Sequence, residues 1–167
     1  MNRYPALIAA LSLLAGGSAA MAAEPDLLPA RLMSLSLAQE IAAGAVDACR
    51  EKGYQVSAVV VDRSGYPMVA LRDVYASRFT LQIAEEKANA VILSGLSSAE
   101  FVANRGDIKD EMNLVDGVLM LAGGLPIRAA GALLGAVGVS GAPGGELDEA
   151  CARVALGAVE ARLEFAD

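Results

Sequence analysis

From Leu37 to Lys52 apolar residues recur at positions 37, 41, 45, 48 and 49, with Gln39, Glu40, Asp47, Arg50 and Glu51 opposite. That spacing predicts an amphipathic helix. Ser36-x-x-Gln39 would open it as a capping box and Gly53 would close it. The period then changes. Gln55–Val61 (QVSAVVV) is rich in β-branched residues, Asp62-Arg63-Ser64-Gly65 is turn chemistry, and Tyr66–Arg72 returns, so a β-hairpin follows. Arg78–Leu93 predicts a second helix, with Gln82, Glu85, Glu86 and Asn89 on its polar face and Ile83, Ala84, Ala88 and Val91 on its apolar stripe. Lys87 falls inside that stripe. A lysine there must snorkel, pair with a carboxylate or meet an anionic ligand.

Ser97-Ser98-Ala99-Glu100 opens a further short helix, and Asn104–Asp116 is polar and weakly periodic, a loop or short helix. Glycines then cut the chain into apolar runs of strand length: Val118–Leu121, Leu125–Arg128 and Leu133–Ser140. The last, LLGAVGVS, is apolar on both alternating faces, as in a strand covered on both sides. Gly135 and Gly138 inside it require a close neighbour, either a helix or a ligand. Glu146–Phe165 predicts the final helix, with Leu147, Cys151, Val154, Ala158 and Phe165 as its stripe. Asp148 and Glu149 lie in its first turn, where the helix dipole favours negative charge. The order predicts an α+β domain: a five-stranded antiparallel sheet, with the first and last helices together on one face and the middle helix elsewhere.

Composition adds a compartment. Met1–Ala22 joins Arg3 to an apolar run and ends in small residues, the pattern of a secretory signal peptide cleaved after Ala22 or Ala23. Residues 23–35, with Pro25 and Pro29, form a lead-in, and 36–167 the domain. A periplasmic or secreted protein is expected, with no membrane anchor once the leader is removed. The net charge of −7 becomes one unit more negative without Arg3. Such a surface disfavours nucleic acid and anionic lipid as partners.

The chain has no histidine, which removes a Ser-His-Asp or Cys-His triad and His-ligated zinc or haem. No phosphate-binding loop occurs, and Gly135, Gly138 and Gly141 do not form a dinucleotide fingerprint. The paired carboxylates Glu85-Glu86, Asp110-Glu111 and Asp148-Glu149 are sequence neighbours that diverge on a helix, so none forms a dyad by itself. Catalysis is therefore not expected. Cys49 and Cys151 both fall on apolar stripes. If their helices pack antiparallel the two meet, leaving either a disulfide or two separate buried thiols.

Several stretches together carry a family resemblance: LSLAQEIAAGAVDACREKG, VSAVVVDRSGYPMVALR, IAEEKANA, GGLPIRAAGALLGAVGVSGA and DEACA. In this order they resemble the GlcG/HbpS-like family of haem-binding or haem-degrading domains. The resemblance implies a profilin-like α/β/α sandwich on a five-stranded antiparallel sheet, assembled as a homo-oligomer. It implies a small-molecule ligand, haem in some members, and it directs attention to Lys87, Gly123, Gly124, Pro126, Ser140 and Gly141. Without histidine, an axial ligand would come from Tyr75, Met112 or Met120, with Tyr54, Tyr66 and Lys87 as further donors. Lys87, Arg63, Arg78 or Arg128 would meet propionates. The other reading is an enzyme or accessory protein acting on a small carboxylic acid of glycolate or diol catabolism, held by Lys87 and the glycine turns.

Overall fold

The structure, a computed structural model, describes residues 26–165. The signal peptide expected over residues 1–22 lies outside them. Residues from Arg31 on form one compact unit, and residues 26–30, the described part of a separate N-terminal unit, are exposed.

The elements are α1 (Leu35–Arg50), β1 (Ser57–Asp62), β2 (Pro67–Arg72), α2 (Phe79–Ser94), α3 (Ser98–Arg105), a 3-10 turn (Gly106–Ile108), α4 (Lys109–Met112), β3 (Gly124–Ala129), β4 (Ala132–Ser140) and α5 (Gly145–Glu164). The strands form one antiparallel sheet in the order β2-β1-β4-β3. Alternation along β1 sorts the core into two layers. Ala58 and Val60 pack with Ile41, Ala45, Ala152 and Val159 of α1 and α5, whereas Val59 and Val61 pack with Ala84, Ala88 and Val91 of α2. Helices therefore cover both faces.

The sheet has four strands, not five. The apolar run Val118–Leu121 is not a strand, because its amides are satisfied elsewhere. Leu119 N donates to the Glu86 carbonyl of α2, Met120 N to Asn113 Oδ1, and Leu121 N to the Leu119 carbonyl. Met120 is buried with Ala90 and Phe101 in a small satellite core. The cap of α1 is also shifted: Ser34, not Ser36, accepts the Leu37 amide through its side chain. At α3 Ser97 and Glu100 form the reciprocal capping box.

The buried face of α5 differs from the expected stripe. Asp148, Cys151, Ala152, Ala155, Val159 and Leu163 are buried, while Val154 and Phe165 are exposed. Ala152 and Ala155 let the helix lie close, with Val159 and Leu163 continuing the buried face.

Glycine sets how near α2 approaches. Gly124 and Gly138 are register partners on β3 and β4. A Cβ on Gly138 would overlap the Ala84 carbonyl, and one on Gly124 the Lys87 carbonyl. The neighbour these glycines require is thus the α2 backbone. Gly138→Ala is expected to cost about 1–3 kcal/mol through overpacking, seen as a lower urea midpoint. Gly157 in α5 meets nothing nearby, so Gly157→Ala should be neutral or stabilising by about 1 kcal/mol.

Candidate functional site

α2 carries Lys87 on the face turned to the sheet, and its side chain is 1% exposed. Its ammonium donates to the Val139 carbonyl at 3.0 Å and to Asp148 Oδ2 at 2.7 Å. Asp148, itself buried, accepts the Ala142 amide on its other oxygen at 2.9 Å. Burial pushes the Asp148 carboxyl above the ordinary carboxylate range, against the pull of the Lys87 ammonium and of the neighbouring amides. In this structure the carboxylate facing Lys87 is that of Asp148. Sequence reading explained Asp148 by the helix dipole alone. Its place at the head of the buried series 148, 151, 152, 155, 159 and a buried lysine without an assigned carboxylate were the signals that could have joined the two.

The motif glycines frame this pair. Gly123 has φ 126°, and a Cβ there would lie 2.7 Å from Lys87 Nζ and 2.8 Å from the Val139 carbonyl. The Gly124 amide is held by Ser98 Oγ. Gly141, at φ 134°, passes close to the Gln55 carbonyl. Ser140 is buried at the end of β4, opposite Ser57. Pro126 stands apart, in a groove between edge strand β3 and α5 that Arg128 and Arg153 also line. The structure thus joins Lys87, Gly123 and Gly124 in one polar knot that clasps α2, β4 and α5.

The donors considered for a haem iron are dispersed. Met120 is fully buried and Met112 half-buried beside it. Tyr75 is 86% exposed in the connection from β2 to α2. Around it in sequence, Val74 and Phe79 are also exposed, and the Arg78 guanidinium lies 4.1 Å over the Phe79 ring. Of these three donors Tyr75 alone is well exposed. Cys49 and Cys151 form a disulfide joining α1 to α5, with Cα atoms 5.3 Å apart.

A separate cavity of about 490 Å³ lies where the chain enters α1. Met33, Leu134 and Leu163 line it with Arg31, Glu40 and Arg162. Sequence reading did not bring these residues together, because they come from three distant stretches.

The family model for haem degrading proteins like HbpS matches residues 33–157. The crystal structure of HbpS is 35% identical, covering 83% of this chain and 99% of that chain with a TM-score of 0.73. Klebsiella pneumoniae protein ORFY is 24% identical, covering 84% of this chain and 99% of that one at a TM-score of 0.77. PduOC, crystallised as a complex with heme, is 23% identical over 77% of this chain and 95% of that one, at 0.69. These last two share the fold. No curated protein matches the chain.

Proposed function

The chain belongs to the HbpS-like family of haem degrading proteins, and from that premise we propose an exported, homo-oligomeric protein that binds haem without a histidine ligand and without turning it over. The observation that carries this reading is the 35% identity to HbpS over 99% of that chain. A relative of the same fold, PduOC, is known as a heme complex.

The surface from Val74 to Phe79 fits such a ligand. A porphyrin needs an apolar face, an oxygen, nitrogen or sulfur donor for iron, and cations for two carboxylates. Val74 and Phe79 are exposed apolar side chains, Tyr75 presents a phenol, and Arg78 presents a guanidinium. Bound haem would supply a ligand-accepting iron. Tyr75 would supply the donor, and Arg78 would orient a propionate through charge-assisted hydrogen bonds. Lys87 and the glycines around it act in this reading as the frame that seats α2, the helix leading away from the site. A small carboxylic acid at Lys87 would have to displace Asp148, already bonded at 2.7 Å, so the geometry gives that reading no support.

Haemin titration tests the proposal. The expected result is a saturable Soret shift, weakened at least about tenfold in Tyr75→Phe with loss of the tyrosinate charge-transfer band. An unsaturable shift in the unaltered protein refutes haem binding, and an unchanged Tyr75→Phe spectrum refutes the ligand. Light scattering and the mass of the exported chain check assembly and cleavage after Ala22 or Ala23.

A further inference from the structure

The connection from β2 to α2 is a tight turn with rooted ends. The Ala76 amide donates to the Asp73 carbonyl at 3.0 Å, so residues 73–76 close a β-turn with Val74 and Tyr75 at its tip. Asp73 and Ala76 are buried, whereas Val74 and Tyr75 between them stand in solvent. The direction of the Tyr75 phenol is therefore set by the backbone of the turn and by what holds its two ends.

At the far end the Arg72 guanidinium donates to the Ala76 carbonyl at 2.5 Å. At the near end the grip is a buried carboxylate, with the Asp73 side chain 4% exposed. Its Oδ1 accepts the Val74 amide at 2.7 Å, and its Oδ2 accepts Nε of Arg50, in the last turn of α1, at 2.9 Å. The Asp73 amide meanwhile donates to the Val56 carbonyl, just before β1. The Arg50 guanidinium and the Val74 amide hold the Asp73 carboxyl below the ordinary carboxylate range, so it is charged at neutral pH. The Ala76 amide already closes the turn. What Asp73 adds is a fixed orientation for the peptide that leads into Val74 and Tyr75, referred to α1.

We propose that Asp73, anchored by Arg50, is a positioning residue that presents the Tyr75 phenol to haem iron in a preset direction. The proposal rests on the reading of Tyr75 as the haem donor. A turn that has to be ordered during binding takes that cost out of the affinity, and one already held in place does not. Arg50 acts one step further away, through Asp73.

Haemin titration of folded variants tests this. Asp73→Asn should bind haemin about tenfold more weakly, with the tyrosinate charge-transfer band kept at saturation because the phenol is still present. Arg50→Ala, at a half-exposed position, should lose about as much, and Arg50→Lys should regain most of it by returning a cation to Asp73. The double variant Asp73→Asn with Arg50→Ala should bind no more weakly than either single one, as for two residues acting as a unit. Glu40→Gln, which breaks the ion pair between α1 and Arg162 of α5, should leave haemin binding unchanged. Urea midpoints are measured in parallel, since a merely structural role moves those midpoints and leaves the affinity of the folded protein where it was. Should Asp73→Asn not fold, Arg50→Ala and Arg50→Lys decide the matter. Unchanged haemin affinity in the folded variants, beside a weakened Tyr75→Phe, overturns the positioning role and leaves the ligand standing. An unaltered protein with no saturable shift, or a Tyr75→Phe protein that matches it, overturns both.

Discussion

Replacing Asp148 with asparagine is expected to lower the free energy of unfolding by about 3–5 kcal/mol. The substitution keeps the side chain's size but leaves the Lys87 ammonium, 1% exposed, without its carboxylate. The Val139 carbonyl, at 3.0 Å, and the neutral amide oxygen of the new side chain are then its acceptors. A partial dipole does not balance a full charge taken out of water. With a total stability of about 5–15 kcal/mol usual for a domain, the loss is large enough to read directly from urea unfolding. Lys87→Met is expected to hurt less, because the abandoned Asp148 can escape its charge by taking a proton, the form that burial already favours. The double replacement Lys87→Met with Asp148→Leu should recover most of the loss, since a well-packed apolar pair often equals a buried ion pair. An Asp148→Asn protein within about 1 kcal/mol of the unaltered chain would show that Lys87 reaches water or another acid, against the scale expected for breaking a buried pair.

That outcome also bears on how the site is read. The family motif around Lys87 looks, on paper, like a ligand cradle: a lysine, a double glycine and a glycine-flanked strand end. In the fold, each glycine answers to a particular backbone or side-chain neighbour. Gly138 and Gly124 admit the carbonyls of α2, Gly141 passes the Gln55 carbonyl, and Gly123 leaves room for the amine of Lys87. The motif seats α2 against the sheet, while Tyr75 and Arg78, just before that helix, are exposed.

Periodicity carried α1 and α2, since their apolar residues face one core layer each, and the β-branched run with its Asp62–Gly65 turn carried the hairpin. Lys87 could be placed on the inner stripe of α2 for the same reason. The partner could not be placed so readily, because Lys87 and Asp148 are 61 residues apart and either acid of the Asp148-Glu149 pair is well explained by the dipole of α5. The Val118–Leu121 run shows a different failure. Hydrophobicity and length suited a strand, but strand identity depends on where the amides find acceptors, and those were Asn113 and Glu86. The inner face of α5 escaped because Ala152 and Ala155 lie on it beside Val159 and Leu163, while Val154 and Phe165 face out. The cavity at Arg31 and Arg162 had no local signature at all, being assembled from the lead-in, β4 and the last turns of α5.

Opening the Cys49–Cys151 disulfide is expected to have the other large effect. The bond joins residues 102 apart in sequence, so it closes a loop spanning most of the domain. By the loop-entropy relation a crosslink over about 100 residues restricts the unfolded chain by about 4.7 kcal/mol, and losses measured in small secreted domains run to about 2–5 kcal/mol. The upper part of that range applies here for a second reason. Both cysteines are fully buried between α1 and α5, and neither helix is tied to the other by sequence proximity. Their remaining links are apolar contacts and the half-exposed Arg162–Glu40 pair, which contributes little. Cys49→Ala with Cys151→Ala should therefore unfold at a markedly lower urea concentration. The loss should appear in the stability of the whole sheet, because α1 and α5 cover one entire face. Thiol reagent should shift the unaltered protein to the same midpoint and leave the double variant where it is. Coincident midpoints for the oxidised protein and the double variant would show that core packing alone holds α1 to α5.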